Sequence, residues 1–245
     1  MDLLFVFCIG FVASVLSGIA GGGGGLITSP FFVLFGLPPQ VAVATAKFGG
    51  VGVTLGALLK LRGTGNVRYE YVIPLIILVV ICSLVGTRLL ISLDNETVTR
   101  VIGGLLLFSV PFLFLKKETG LVRIKTSKLA HVIGYVLYAP VVILQAAFGS
   151  GIGSLLPLIM TQLWGFTFLE SAATRRVPGI VASFTSLFAY AAYGVVNYQY
   201  GVVILCGSFC GSWVGTHIAL RQGNVFVKYV LCALLLVGGT KFLFF

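Results

Sequence analysis

The chain has 245 residues, of which 58% are hydrophobic and 9% charged, with a mean hydropathy of +1.11. A soluble domain carries roughly 25% charged residues, so this chain has too few ionisable groups to clothe a water-facing surface, and its solvent is mostly lipid. The formal net charge of +10 would suggest nucleic acid in a soluble protein, but no aromatic-interleaved basic stripe is present, and the excess reads as basic loops held against an anionic leaflet.

Apolar runs fall at 2–20, 26–36, 39–61, 70–92, 97–115, 130–148, 154–165, 168–193, 199–220 and 224–244. At 1.5 Å per residue most are long enough to cross a hydrocarbon core of about 30 Å. The first carries Asp2 and no Lys or Arg ahead of it, so it reads as a membrane helix rather than a secretory signal. Two runs are short, 26–36 and 154–165, and each follows a glycine-rich break: Gly21 to Gly25, and Gly149-Ser150-Gly151-Ile152-Gly153. Cys8, Cys82, Cys206, Cys210 and Cys232 all lie in apolar runs and read as packing residues. Cys206 and Cys210 share a helix face, but no His or carboxylate is close in sequence to complete a metal site.

The long polar interval 116–129, with Lys116, Lys117, Arg123, Lys125 and Lys128 against Glu118, divides the chain nearly in half. An ungapped offset of 129 superimposes the halves, with 18 identities in the 74 positions between 22 and 95, far above the roughly 9% expected by chance for so skewed a composition. The matches include Gly22 with Gly151, Gly24 with Gly153, Ala44-Thr45 with Ala173-Thr174, Tyr69 with Tyr198, and Gly86-Thr87 with Gly215-Thr216. The expected organisation is a first membrane repeat over 1–115, a basic cytoplasmic linker over 116–129 and a second membrane repeat over 130–245. Lys60, Arg62 and Arg68 follow the third run of the first half, whereas the mate region 189–197 carries no charge; the bias reverses at 92–96 against 221–228. If Lys and Arg mark the cytoplasmic side, the halves are inverted with respect to each other. The fold expected is therefore an all-α polytopic membrane protein of two inverted repeats, each of about five helical segments with a glycine-rich break. Both termini are expected outside. Whether the short runs span or re-enter stays open.

A glycine break inside a membrane helix frees backbone groups that lipid cannot satisfy, so it is tolerated where protein or a wet cavity supplies partners. The helix that restarts after it aims amides and a positive dipole end at that cavity, which favours an anion. Gly22, Gly23, Gly24 and Gly25 with Ser150, Gly151, Gly153 and Ser154 are the candidate backbone contacts. Lys47 and its mate Arg176, with the neighbouring Arg175, are the candidate cations, because a charge inside a membrane is costly without a partner. Glu170 is a candidate partner for Arg175 or Arg176. Thr45 and Thr174, each two residues ahead of a cation, are the candidate hydroxyl donors. His217, the mate of Arg88, could relay protons or simply sit at the interface. Tyr69, Tyr71, Tyr198 and Tyr200 read as interfacial belts. No catalytic set, zinc spacing or phosphate loop is present, so no enzyme chemistry and no cofactor is expected.

The stretches Gly-Ile-Ala-Gly-Gly-Gly-Gly-Gly (18–25), Ala-Thr-Ala-Lys-Phe-Gly (44–49), the second break at 149–153 and Gly-Ser-Trp-Val-Gly-Thr-His-Ile-Ala-Leu-Arg-Gln-Gly (211–223) together resemble the TauE/SafE family of sulfite exporters, over nearly the whole chain. The chain has Ala46 where many members have Asn, and Arg175-Arg176 is more basic than the usual second-half motif. The resemblance implies transport of a small sulfur-containing anion such as sulfite, a sulfonate or thiosulfate across a prokaryotic plasma membrane. The expected function is a secondary transporter working by alternating access, with its partners the anionic substrate, lipid and a possible coupling ion, H+ or Na+, since no nucleotide-binding domain is present. The alternatives are an anion-selective channel and a scaffold or accessory subunit that uses small-residue faces.

Overall fold

The computed structural model describes residues 2–22, 24–94, 120–149 and 152–241. Of the expectations above, the run 97–115, Lys116 and Lys117, and the candidate contacts Gly23, Ser150 and Gly151 lie outside those residues, as does the side chain of Ser154. In chain order the helices are α1 (Leu3–Ala20), α2 (Gly25–Leu34), α3 (Pro39–Leu61), α4 (Tyr69–Ser92), α5 (Lys128–Phe148), a 3-10 turn (Ile152–Leu155), α6 (Leu156–Leu163), α7 (Phe168–Thr174), α8 (Arg176–Ala192) and α9 (Tyr198–Lys241). Among the described residues there is no strand. Among the described residues five helices are long and apolar enough to cross a membrane: α1, α3, α4, α5 and the first 34 residues of α9.

The boundaries recur at the offset found in the sequence. α2 ends at Leu34 and α6 at Leu163; α3 begins at Pro39 and the α7–α8 pair at Phe168; α4 begins at Tyr69 and α9 at Tyr198. Glycines hold the same turns in both halves: Gly36 and Gly165 have φ of 89° and 69°, and Gly65 and Gly194 have 72° and 70°, a left-handed conformation that favours a residue without Cβ. The 10-residue α2 and 8-residue α6 extend only about 15 Å and 12 Å, half a hydrocarbon core at most. Neither spans.

The run 168–193 departs from the single span its apolar composition suggested. It is divided at Arg175, between the 7-residue α7 and α8, because Pro178 has no amide to give the Thr174 carbonyl. Thr167 starts α7 with a capping box: its hydroxyl accepts from the Glu170 amide (3.1 Å) and the Glu170 carboxylate accepts from the Thr167 amide (3.0 Å). α9 is likewise interrupted, at Gly223 (φ 77°).

Each half lends a helix to the other. α1 packs along α9 and α5 along α4; α9 also packs on α3, and α4 on α8, while α3 and α8 meet each other at the centre. Small residues allow the approach. A Cβ on Gly207, Gly211 or Gly215 would meet the backbone carbonyls of Phe7, Phe11 and Val15, and one on Gly52 or Gly56 those of Leu205 and Phe209, the close helix contact that van der Waals packing in lipid requires. The apolar clusters follow the same pairing: Val6, Phe31 and Ile204 pack in one, and their offset mates Tyr135, Met160 and Leu75 in another.

Candidate functional site

The three cations chosen from the sequence all lie inside the protein: Lys47 is 8% exposed, Arg175 8% and Arg176 4%. Their partner is not Glu170. That carboxylate is taken by Arg68, whose Nε donates to it at 2.9 Å and whose terminal nitrogen forms a second, shorter contact. The cations instead reach backbone carbonyls in the last turns of α1 and α5 or just past them; the Gln145 carbonyl also accepts the Gly149 amide at 3.1 Å, and its second lone pair is free for a cation. Lys47 Nζ donates to the Gln145 carbonyl near the end of α5 (2.9 Å), Arg176 to the Ser17 carbonyl near the end of α1 (2.9 Å), and Arg175 to the Gly21 carbonyl just past it (2.6 Å). The negative ends of two helix dipoles thus hold cations deep in the molecule. Lys47 and Arg176 are offset mates, and each serves the first helix of the opposite half.

Gly21, with φ of 74°, ends α1, and the chain then turns so tightly that a Cβ on Gly22 would lie 2.7 Å from a terminal nitrogen of Arg175 and 3.3 Å from the Gly153 carbonyl. A Cβ on Gly153 would lie 2.6 Å from Gln145 Oε1 and 3.0 Å from the other terminal nitrogen of Arg175. The two breaks therefore meet, with the Arg175 guanidinium between them. Gly24 faces α1 instead, against Ser17 and Ala13.

Beside this junction is a cavity of about 50 Å³ lined by Lys47, Arg175, Ser83, Tyr138, Gln145 and Ser183, with apolar walls from α3, α4 and α5. A single water needs about 10 to 15 Å³ on this measure, so the space suits a cluster of waters or a small polyatomic ion. Ser83 Oγ is buried there without a protein partner, and Tyr190 anchors the wall residue Ala146, its hydroxyl donating to the Ala146 carbonyl at 2.7 Å. The cavity can neutralise a small anion with two fixed cations and offer it hydroxyl donors. Arg176 does not line it. Its charge is turned toward α1, and its Nε has no hydrogen-bond partner.

Thr45 and Thr174 stand apart from the cavity. Each is fully buried, and each accepts a backbone amide from the opposite half: Asn197 N–H to Thr45 Oγ1 at 3.1 Å and Arg68 N–H to Thr174 Oγ1 at 3.0 Å. Arg68 and Asn197 are themselves 129 residues apart, so the two bonds are one bond made twice. The tyrosines divide. Tyr69 and Tyr198 are exposed, whereas Tyr71 packs among Trp164 and Phe166 with its hydroxyl 2.7 Å from His131 Nε2, and Tyr200 stacks on Phe32. His217 lies against Trp213, away from the cavity.

The lining residues that charge and glycine patterns did not single out are Ser83, Tyr138, Gln145 and Ser183. Ser83 carried a signal, since its offset mate is Ser212. For the others, an apolar helix bearing one polar side chain gives no sign of which way that side chain faces.

The profile of the sulfite exporter TauE/SafE family matches residues 6–242. The chain belongs to the TauE/SafE family. Members of this family are membrane transporters, and the relatives agree. A Haemophilus influenzae protein named "Probable membrane transporter protein" is 30% identical over 93% of this chain and 89% of its own length. "Probable membrane transporter protein ORF9" of Sinorhizobium sp is 25% identical over 94% and 87%, and "Probable membrane transporter protein YfcA" of Escherichia coli is 24% identical over 98% and 88%. No solved structure matches the chain significantly. As a TauE/SafE chain, the protein carries its broken helices, buried cations and cavity in the setting of a transporter.

Proposed function

We propose that this TauE/SafE protein is a secondary transporter of a small sulfur-containing anion, bound in the cavity between the two glycine breaks. The observation that carries the reading is that Lys47 and Arg175 line one buried cavity with no carboxylate beside them. Lys47 and Arg175 supply charge, Ser83, Tyr138 and Ser183 supply hydroxyl donors, and the junction of Gly22 and Gly153 lets the guanidinium approach the backbone. Arg176 acts as a helix stop for α1 that keeps its counterpart cation site in shape.

Alternating access follows from the duplicated architecture. Thr45 ties the start of α3 to the α8–α9 loop, and Thr174 ties the start of the α7–α8 pair to the α3–α4 loop. Reciprocal contacts between equivalent residues are the signature of two-fold relations, and an inverted repeat puts that axis in the membrane plane. The two threonine bonds then close opposite ends of the α3–α8 pair, about 24 Å apart along α3, and release of one or the other opens the cavity to one side. The basic 60–68 and 116–128 segments are assigned to the cytoplasmic side, and both termini to the outside, by the positive-inside rule.

The test is a thermal-shift panel of sulfite, thiosulfate, sulfoacetate, taurine, sulfate and simple carboxylates on purified protein, since a ligand of the folded state raises its stability, followed by flux of the best ligand into proteoliposomes. A sulfur oxyanion that shifts the midpoint and is carried at saturable rates supports the reading. Single-channel currents would replace the carrier by a channel, and no response to any anion would remove the site.

A further inference from the structure

Trp213, His217 and Arg221 repeat every four residues along α9 and so share one face of that helix. The His217 ring stacks on Trp213 with centroids 6.3 Å apart. Lys60, in the last turn of α3, places its Nζ 4.7 Å from the centre of the Trp213 ring. Lys60 and Arg221 both lie near enough to act on His217, and both are positive. Among the described residues no carboxylate forms an ion pair with Lys60, His217 or Arg221. Trp213 is 44% exposed and Arg221 is exposed, so the cluster faces outward from the helix bundle, next to the loop that carries Arg62 and Arg68.

Two cations and an imidazole gathered around an exposed tryptophan face, with no ion-paired acid among the described residues, make an outward-facing site for a compact anion on the lipid side. Tryptophan favours the headgroup level of a bilayer, and cations there attract anionic lipid. The cation held over the ring keeps Lys60 from folding back into the bundle. Trp213 itself is 44% exposed and Leu59, beside Lys60 on α3, is 57% exposed, and such outward apolar surface suits the upper part of an acyl chain. We infer that Lys60, His217 and Arg221, on the Trp213 platform, bind the phosphate of an anionic phospholipid. The occupant is a lipid rather than free phosphate because the cluster adjoins exposed apolar surface at Leu59 and Trp213 and faces outward from the helix bundle. It is separate from the Lys47 and Arg175 cavity, and the inference does not depend on what that cavity carries.

The experiment uses the full chain in detergent, with thermal denaturation and native mass spectrometry during titration of phosphatidylglycerol, phosphatidylcholine with the same acyl chains, and inorganic phosphate. Phosphatidylglycerol is expected to raise the midpoint and to remain bound, with little response to the other two. A Lys60→Gln/Arg221→Gln double variant is expected to bind phosphatidylglycerol roughly tenfold or more weakly, at about 1 kcal/mol for each basic group near anionic lipid. A Lys60→Arg/Arg221→Lys variant keeps the charges and is expected to keep the response, which separates lost charge from damaged folding. Equal responses to the two lipids, a response to inorganic phosphate as large as that to phosphatidylglycerol, or full retention of phosphatidylglycerol binding by the Gln variant would each overturn the assignment.

Discussion

Thr45 and Thr174 occupy the same position in the two halves, and each accepts a hydrogen bond from a loop amide of the other half, at 3.1 Å and 3.0 Å. The donors, Asn197 and Arg68, are equivalent too, so each bond is the image of the other. Valine has the shape of threonine but not its oxygen, and leaves the donor amide unpaired at a cost of about 1 to 3 kcal/mol. Thr45→Val and Thr174→Val are each expected to lower the thermal midpoint, with Thr45→Ser and Thr174→Ser restoring most of it. Because the two positions share no partner, the double variant is expected to lose the sum. Under alternating access the variants also differ in sidedness. With Ser183→Cys as a reporter in a chain lacking its native cysteines, a membrane-impermeant thiol reagent is expected to label the cavity faster from one side in Thr45→Val and from the other in Thr174→Val. Equal labelling from both sides would refute the latch role while leaving the stability effect intact.

The cations are expected to separate by what they face. Lys47→Met and Arg175→Met remove charges that line the cavity, so the anion-induced thermal shift is expected to vanish and anion affinity to fall at least about tenfold, as expected for loss of a hydrogen bond to a charged group. Arg176→Met removes the group that serves the Ser17 carbonyl, and its main effect is expected on stability, with the ligand shift retained. Isothermal titration of each variant with the best anion measures the difference. Loss of binding in Arg176→Met at an unchanged midpoint would move Arg176 into the site.

Much of this architecture was legible because duplication writes each feature twice. The helix ends at Leu34 and Leu163 and the starts at Tyr69 and Tyr198 fall on the register that the identities defined, and both members of the Lys47 and Arg176 pair proved buried. What escaped was direction. Thr45 and Thr174 read as donors to a ligand because they precede cations, yet their oxygens face loops across the molecule, a contact between residues about 150 and 106 positions apart. Nearness in sequence makes Glu170 a candidate partner for Arg175 or Arg176, whereas folding brings Arg68 to it. The partners of the cations were invisible for a different reason. They are backbone carbonyls near the ends of α1 and α5, and a carbonyl has no letter of its own in a sequence.

Glycine substitutions are expected to fall into two classes according to what a Cβ meets. On Gly153 it meets the far ends of Gln145 and Arg175, and on Gly22 the far end of Arg175, with the Gly153 carbonyl at a looser 3.3 Å; in both the closest atoms can swing away. Gly22→Ala and Gly153→Ala are therefore expected to cost little stability while displacing the guanidinium, and to weaken anion binding. On Gly52 or Gly56 it meets the backbone carbonyls of Leu205 and Phe209, which move only if α3 and α9 separate. Gly52→Ala and Gly56→Ala are expected to cost about 1 to 3 kcal/mol, as overpacking does. Parallel measurements of thermal midpoint and anion affinity on the four variants test the division, and a large midpoint loss in Gly153→Ala would contradict it.

Glu170 holds two structures at once, the capping box of α7 with Thr167 and the ion pair with Arg68, whose side chains are 12% and 24% exposed. Glutamine can complete a capping box but cannot carry the charge. The carboxylate accepts with both oxygens, Oε1 from Arg68 and Oε2 from the Thr167 amide, and glutamine has one acceptor oxygen, so Glu170→Gln is expected to keep the cap and lose the hydrogen bonds to Arg68, about 1 to 3 kcal/mol discounted for partial exposure. Glu170→Ala also loses the cap, about 1 kcal/mol more. Arg68 further supplies the amide that Thr174 accepts, so freeing its side chain loosens that bond. Combining Glu170→Gln with Thr174→Val is expected to cost less than the sum of the two, because both act on the same loop. Thermal midpoints of the single and double variants measure the coupling, and strict additivity would show that the ion pair and the threonine bond hold the α3–α4 loop independently.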